Sequence, residues 1–197
     1  MGKGRLEAFS DGVIAIIITI MVLELRLPPH ATDAASLASL VPLLPVFGSY
    51  VLSFVHVGIY WNNHHHLLHT VKHVSAGILW GNLHLLFWLS LVPFVTSWMG
   101  ENEFAEWPVA VYGAVLLMAG CAYYILTRAI IRRHGPESTL HAAVGADEKG
   151  VISLVMYALA IGVAFANRWV ALALYVAVAV MWLIPDRRIE RAIAERS

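Results

Sequence analysis

A cluster of histidines is the most chemically distinctive feature of this sequence. Five of them fall within ten residues, at His64, His65, His66, His69 and His73. On a helix, residues four apart are neighbours, so the pairs His65/His69 and His69/His73 could bind a metal ion or haem. No His-Glu-x-x-His motif supplies the general base of a metalloprotease. The alternative is a set of interface histidines that hydrogen-bond to neighbouring helices and lipid headgroups.

Polar residues also stand at the start of the first apolar segment, where Ser10 and Asp11 precede Gly12. A charge in an apolar helix needs a partner or a purpose. Ser10 and Asp11 could cap a helix that begins at Gly12. They could instead join a buried hydrogen-bond network with polar groups of later helices, or Asp11 could relay protons to the histidines. The candidate network partners at similar depth are Arg5, the histidine cluster, Asn82 and His84.

Beyond Asp11 the segment is almost wholly apolar, and Ile16, Thr19, Ile20 and Leu23 recur at helical spacing on one face. Such a stripe normally packs against lipid or a neighbouring helix. It could also form a hydrophobic constriction, because rings of branched side chains gate pores by dewetting. The Thr19 hydroxyl could simply bond back to the carbonyl four residues earlier. Periodicity does not choose between these interpretations.

The amino-acid composition indicates that the chain lies in a membrane. Of 197 residues, 59% are hydrophobic and 13% charged, and the mean hydropathy is +0.71. Soluble domains are about 45–50% apolar and about 25% charged, so we expect an all-α integral membrane protein. The formal net charge of zero gives no basic character for nucleic-acid binding, and the single cysteine, Cys121, excludes an internal disulfide.

Six segments are long and apolar enough to cross a bilayer, which takes roughly 20 residues. We predict one transmembrane domain over residues 1–197, with helices at about 5–27, 37–68, 73–99, 108–132, 150–166 and 169–184. Pro28 and Pro29 would end the first helix, and Pro93 lies inside the third. A cleaved signal peptide is the alternative for the first segment, but no small-x-small cleavage site follows it.

The positions of lysine and arginine predict the orientation. Eleven of the thirteen basic residues fall on the side of both termini, and only Arg26 and Arg168 fall on the other. Cytoplasmic loops carry the excess of such residues, so both termini are predicted to be cytoplasmic. A short chain of this kind suits a multi-pass protein of a bacterial inner (plasma) membrane.

The first helix carries a recognisable signature, Arg5-Leu-Glu-Ala-Phe-Ser-Asp11. It resembles the Arg-x-x-x-Phe-Ser-Asp motif of the transmembrane-protein-175 family, which comprises lysosomal potassium channels and their bacterial homologues. The similarity continues in Trp61-Asn-Asn-His-His on the second helix and in Asn82-Leu-x-x-Leu-Phe and Leu91-Val-Pro-Phe on the third. In the last three predicted helices the similarity to the family is limited to hydropathy.

The resemblance implies a homotetrameric potassium channel whose first helices surround the pore. It implies that Ile16 forms the narrowest ring, that Ile20 and Leu23 form the next rings outward, and that Thr19 is a nearby polar contact for the ion. It also implies an inter-helix network that holds the first helix in place, formed by Arg5, Phe9, Ser10, Asp11, His64 and Asn82. Because three histidines run together, His65 is an alternative to His64.

We therefore expect a channel with potassium ions, the lipid bilayer and further copies of itself as partners. No enzymatic activity, cofactor, resident metal or nucleic-acid partner is expected. A proton-coupled transporter or proton channel that uses Asp11 and the His64–His69 cluster is the first alternative. A haem or metal protein that uses His65, His69 or His73 is the second.

Overall fold

The computed structural model describes residues 2–26, 36–135 and 148–183, and these residues are helical apart from short turns. In chain order the α-helices are α1 (Lys3–Ile20), α2 (Leu44–His69), α3 (Ala76–Ser90), α4 (Val92–Glu101), α5 (Glu106–His134), α6 (Glu148–Val163) and α7 (Arg168–Leu183). Two 3₁₀ segments adjoin them: Met21–Glu24 continues α1, and Leu37–Leu43 leads into α2.

Four helical stretches of the described chain are long and apolar enough to span a membrane: Lys3–Glu24, Leu37–His69, Ala76–Glu101 and Glu106–His134. The helix α7 is apolar but shorter, and α6 also has 16 residues. The protein is thus all-helical with four candidate membrane spans. The six-helix count stays a prediction for the last two. Pro28 and Pro29, expected to end the first span, lie outside the described residues.

The third predicted helix is divided into α3 and α4 at Leu91. Pro93 is the cause, because it has no backbone N–H with which to continue the i to i−4 pattern, and its ring crowds the preceding turn. The backbone N–H of Leu91 instead bonds to the Trp88 carbonyl at 3.2 Å, and regular bonding resumes when Val95 N bonds to Leu91 O at 3.2 Å. Together α3 and α4 form one apolar stretch, Ala76–Glu101, that is interrupted at Leu91 and is long enough to span a membrane.

The helix α5 forms the centre of the subunit and packs against α3, α4, α6 and α7. Small residues allow close approach at these contacts. A Cβ at Gly81 of α3 would lie 3.3 Å from the Leu126 Cα of α5, and one at Gly113 would collide with the Tyr175 hydroxyl of α7. That hydroxyl donates to the Val109 carbonyl at 3.0 Å. The core therefore lies around α5.

The helix α1 lies at the edge of the subunit and packs against α2 and α3. Its first turn meets the end of α2, where the Lys3 ammonium donates to the His69 carbonyl at 2.8 Å. Near the same end, the backbone N–H groups of Lys72 and His73 donate to His134 Nε2 at 3.0 and 3.3 Å. At the other end of α1, Ser97 Oγ donates to the Glu24 carboxylate at 3.1 Å. The start of α1 and the end of α5 therefore share one end of the molecule.

Candidate pore helix and its polar anchor

The helix α1 has two distinct faces. One face is buried against α2 and α3 and carries Leu6, Ser10, Ile14, Ile17 and, just beyond the helix, Met21. These residues are three or four apart, which is the spacing of a single helical stripe. The opposite face is exposed on the isolated subunit. The helix α1 therefore turns one face, which includes Ser10, toward its own subunit and an opposite, mainly apolar face toward its surroundings.

The four stripe residues predicted to face a pore all lie on the exposed face. Ile16 is 63% exposed, Ile20 44% and Leu23 61%, and Thr19 is also exposed. Leu23 lies on the 3₁₀ continuation, where the narrower helix changes the angular spacing. The Thr19 hydroxyl donates to the carbonyls of Ala15 at 2.9 Å and Ile16 at 3.1 Å. Its proton is therefore engaged, and its lone pairs remain for an ion or water.

Three buried polar side chains join α1, α2 and α3. His64 Nε2 lies 2.7 Å from Asn82 Oδ1, Asn82 Nδ2 donates to Ser10 Oγ at 2.9 Å, and Ser10 Oγ donates to the Leu6 carbonyl at 2.9 Å. Because an amide oxygen only accepts, His64 Nε2 is the protonated nitrogen. His64 Nδ1 is buried without a partner among the described residues. This chain of bonds, hereafter the polar anchor, fixes α1 against its two neighbours.

Asp11 makes a separate contact with α2. Its Oδ1 accepts a hydrogen bond from the Trp61 indole at 3.0 Å. Within the part of the chain that the structure describes, Asp11 makes no hydrogen bond to a histidine. Trp61 and Asp11 lie nearer the surface than the polar anchor, so this bond supplements it at the rim of the contact between α1 and α2.

Arg5 and Phe9 lie outside the anchor within one subunit. Both are exposed, Phe9 by 49%, and both share the outward face of α1 with Ile16, since positions 5, 9, 12 and 16 are four, three and four apart. Arg5 makes no hydrogen bond or ion pair with the described residues. The same helical geometry that turns Ser10 inward turns Arg5 outward.

The other histidines of the cluster have different surroundings from His64. The rings of His65 and His69 have centroids 5.2 Å apart, and both residues are exposed. Within the described chain, no group of three or more histidine, cysteine or acidic side chains is arranged to hold a metal ion. His65 is in ring contact with Trp61, at 6.2 Å between centroids, whereas His64 alone of the run reaches Asn82.

Comparison with known proteins places this geometry in a family. A model of the family described as "Endosomal/lysosomal potassium channel TMEM175" matches residues 5–93, which include most of α1 and the whole anchor. A potassium channel of Chryseobacterium sp. (strain P1-3) is 55% identical over 195 residues, covering 99% of this chain and 100% of that protein. This chain belongs to the TMEM175 family. Its members are ion channels.

Two further TMEM175 relatives differ in how much they share. The crystal structure of a lysosomal potassium-selective channel TMEM175 homolog from Chamaesiphon minutus superposes with a TM-score of 0.81 at 27% identity, over 93% of this chain and 97% of that one. The human endosomal/lysosomal proton channel TMEM175 is 40% identical over 96 residues, which are 44% of this chain and 19% of that protein. The fold is therefore that of a TMEM175 channel along most of the chain.

The structure adds a second buried polar group that sequence reasoning did not single out. Thr96 Oγ1 donates to Ser53 Oγ at 2.6 Å, and Ser53 Oγ donates to the Tyr112 hydroxyl at 3.1 Å, which links α4, α2 and α5. Single hydroxyls in three apolar segments gave a weak signal, because serine and threonine usually bond within their own helix. The Trp61–Asp11 bond was missed because tryptophans near helix ends are expected in aromatic belts.

Proposed function

We propose that this chain forms a potassium-selective channel in which the α1 helices of four copies line a central pore. The observation that carries the proposal is the exposed apolar stripe of α1, set opposite a polar anchor that holds the helix in one rotation. Ile16 is the most exposed of the three aliphatic residues of that stripe, at 63%. The Chryseobacterium relative, which this chain matches over that protein's whole length, is named as a potassium channel, and this name gives independent support.

A ring of copies follows from the geometry of a single helix. One helix cannot enclose a passage. The outward face of α1 carries three branched aliphatic side chains and the Thr19 hydroxyl. Closed cyclic assemblies are the common solution for identical chains. Four copies are consistent with a pore narrow enough for isoleucine side chains to meet at its axis. Each subunit would then contribute one wall.

In this arrangement Ile16 forms the narrowest ring, and Ile20 and Leu23 form wider rings outward. Such rings exclude water when the side chains meet, so they close the pore by dewetting. Conduction requires the side chains to withdraw from the axis. Thr19 offers lone pairs between the apolar rings, since its proton is engaged within α1. A passage that strips part of the hydration shell favours potassium over the more tightly hydrated sodium ion.

The polar anchor has a positioning role. A ring of branched side chains works as a constriction only if α1 keeps its rotation and depth, and one helical residue of rotation amounts to 100°. Ser10, His64 and Asn82 resist that rotation from within the subunit. Arg5 and Phe9 share the outward face with Ile16, and we assign them to contacts with neighbouring copies.

Potassium has more support than protons as the permeant ion. Asp11 and His64 each have a fixed partner, Trp61 and Asn82, and they are not bonded to each other. The proton alternative nevertheless defines a necessary arm of the test, because the human relative is named as a proton channel. A haem or metal protein has no supporting cluster within the described residues.

We also propose that both termini face the cytoplasm of a bacterial cell, with the protein in its inner membrane. The basic residues Lys3, Lys72 and Arg132 cluster near the end of the molecule where α1 begins and α5 ends. Basic residues are enriched on the cytoplasmic side of membrane proteins. Labelling of single cysteines introduced near either end of α5 in intact cells tests this orientation.

The deciding experiment is flux into liposomes that contain the purified protein. With inward gradients of potassium, sodium or protons imposed separately, we expect potassium flux to exceed the other two, and we expect the protein to be a tetramer by native mass spectrometry. Equal sodium and potassium flux would contradict selectivity. Proton flux without potassium flux would replace the proposal with the proton alternative. A Soret band or a stoichiometric metal would overturn the channel assignment.

A further inference from the structure

His134, the last residue of α5, bonds to main-chain groups through both nitrogens of its ring. Its Nδ1 lies 2.9 Å from the carbonyl oxygen of Ile130, one turn back in α5. Its Nε2 lies 3.0 Å from the backbone nitrogen of Lys72 and 3.3 Å from that of His73. A carbonyl accepts and a backbone N–H donates, so Nδ1 carries the proton and Nε2 is the acceptor. These hydrogen bonds therefore require the neutral form of the imidazole.

The turn that joins α2 to α3 is held at its middle by this imidazole. The backbone N–H groups of Thr70 and Val71 bond to carbonyls in the last turn of α2, at 3.2 and 3.0 Å. The next two N–H groups, those of Lys72 and His73, are the pair that donates to His134, a residue far along the chain. This contact, hereafter the latch, attaches the turn to the end of α5.

Protons reach the latch from the solvent, because His134 is half-buried and Lys72 and His73 are exposed. Several other charged or titratable groups belong to this end of the packed elements: Lys3 and Glu7 of α1, His69 of α2, Lys72 and His73 of the turn, Arg128, Arg132 and Arg133 of α5, and Glu148 and Lys149 of α6. Within the described residues, none of their side chains bonds to the imidazole. No carboxylate among them is therefore bonded so as to hold a protonated ring in place.

Protonation of His134 is incompatible with the latch. In an imidazolium both ring nitrogens carry a proton, so Nε2 would present an N–H group to two other N–H groups. A histidine side chain takes up its proton between about pH 5 and 8. The closed latch excludes that proton and the open turn admits it, so the latch is closed on the alkaline side of this range and is lost as the pH falls.

We propose that His134 is a pH-sensitive latch, which ties the turn between α2 and α3 to the end of α5 while the imidazole is neutral and releases the turn when the imidazole is protonated. The Lys3 ammonium of α1 donates to the His69 carbonyl just before the turn, so the latch also determines how firmly the joined ends of α1 and α2 are attached to α5. The helix α3 stays on α5 in both states, since Gly81 lies in close contact with Leu126. The release is therefore confined to the turn and the adjoining end of α2, and it does not depend on which ion the protein conducts.

Amide hydrogen exchange of residues 70–75 tests the latch, with the full-length protein in vesicles and mass spectrometry at about pH 7.5 and about pH 5. His134→Ala is the reference, because it leaves the turn unlatched at both pH values and so cancels the pH dependence of the exchange chemistry itself. At the higher pH we expect the wild-type turn to exchange about tenfold more slowly than the reference, since two hydrogen bonds protect it. At the lower pH the two proteins should exchange at the same rate.

Two further variants separate the latch from a general effect of acid. His134→Gln places an amide oxygen, which accepts but does not titrate, near the position of Nε2, so its turn should exchange slowly at both pH values. His66→Gln is the matched control and should respond as the wild type does, because the His66 ring contacts that of His65 on its own helix and bonds to no other element within the described residues. Protection of the wild type that does not change with pH, equal rates in wild type and His134→Ala at the higher pH, or a wild-type response in His134→Gln would each overturn the latch.

Discussion

The helices α1 and α5 are both long apolar spans, but the subunit treats them differently. The most apolar 18-residue window of α5 is 50% buried within the subunit, and that of α1 is 28% buried. The helix α5 contacts α3, α4, α6 and α7, so its packing is largely completed by its own chain. The helix α1 is fixed along one face and open along the other.

Exposure alone does not make a helix an interface in a membrane, because lipid covers apolar surface as well as protein does. Both helices make side-chain hydrogen bonds to their neighbours, as from Ser53 to Tyr112 of α5, but only in α1 do such bonds hold one face while the opposite face stays open. Side-chain hydrogen bonds fix α1 to both neighbours, through Ser10 to Asn82 and through Asp11 to Trp61. A helix that merely faced lipid would not need its rotation specified so strictly. This combination of one fixed face and one open face supports the pore-lining role that we propose for the outward face of α1.

The largest expected effect is on the stability of the α1 contact. Asn82→Ala removes the middle of the polar anchor and leaves His64 Nε2 and Ser10 with unpaired buried groups. Each such group costs about 1–3 kcal/mol, so we expect a loss of about 2–6 kcal/mol, with a lower midpoint of thermal unfolding. Asn63→Ala is the control, because the Asn63 amide bonds only to Ile59 of its own helix. Equal losses in both variants would contradict a special role of the anchor.

A polar ring at the constriction should change conduction with little effect on folding. Ile16→Asn wets the narrowest ring, and we expect potassium flux into liposomes to rise roughly tenfold, equivalent to about 1.4 kcal/mol of barrier, with weaker discrimination against sodium. Ile125→Asn makes the same change on the exposed surface of α5, where the side chain is 48% exposed. Unchanged flux in Ile16→Asn, or an equal rise in both, would show that the stripe does not line the pore.

The contact at the rim of α1 should contribute less than the buried anchor. Trp61→Phe keeps the aromatic ring but removes the donor to Asp11, and hydrogen bonds between membrane helices contribute about 0.5–2 kcal/mol. We expect a loss in that range, measured by unfolding in mild detergent and denaturant. Trp80→Phe is the matched control, since Trp80 is 72% exposed on α3. A loss as large as that of Asn82→Ala would mean that the rim, not the anchor, holds α1.

The smallest expected effect concerns Thr19. Thr19→Val preserves shape but removes the hydroxyl, whose proton is already engaged within α1, so we expect stability to change by less than about 0.5 kcal/mol. If the lone pairs contact the passing ion, the ratio of potassium to sodium flux should nevertheless fall. Thr127→Val, at a hydroxyl that bonds back to Tyr123 within α5, should leave that ratio unchanged. A constant ratio in both variants would remove Thr19 from the pore.

Several features were predictable because a short local pattern determines them. The spacing of Ile16, Thr19, Ile20 and Leu23 places them on one helical face, and the structure has all four exposed together. Pro93 was visible as a disturbance of the third segment, although its effect, a division at Leu91, depends on how the chain resumes its hydrogen bonds. The family assignment from the Arg-x-x-x-Phe-Ser-Asp signature is confirmed by the relatives.

Other features depend on rotation and side-chain reach, which sequence spacing does not give. Arg5 and Ser10 are close in sequence, but Ser10 faces α3 and Arg5 faces outward. Three consecutive histidines offered equal chemistry, and only the packing of α2 against α3 brings His64 to Asn82. The Ser53, Tyr112 and Thr96 contact joins three helices through hydroxyls that have no common motif. The functional roles of the stripe and of the anchor residues stay predictions for the experiments above.

The direction of the hydrogen bonds in the polar anchor has a consequence for charge movement. Every donor points the same way, from His64 to Asn82, from Asn82 to Ser10 and from Ser10 to Leu6. The middle member is a carboxamide, which does not readily take up a proton on its oxygen while releasing another from its nitrogen. These hydrogen bonds therefore provide no path for proton transfer between the His64 imidazole and α1. The polar anchor links α1 to α2 and α3 mechanically, but it does not conduct protons.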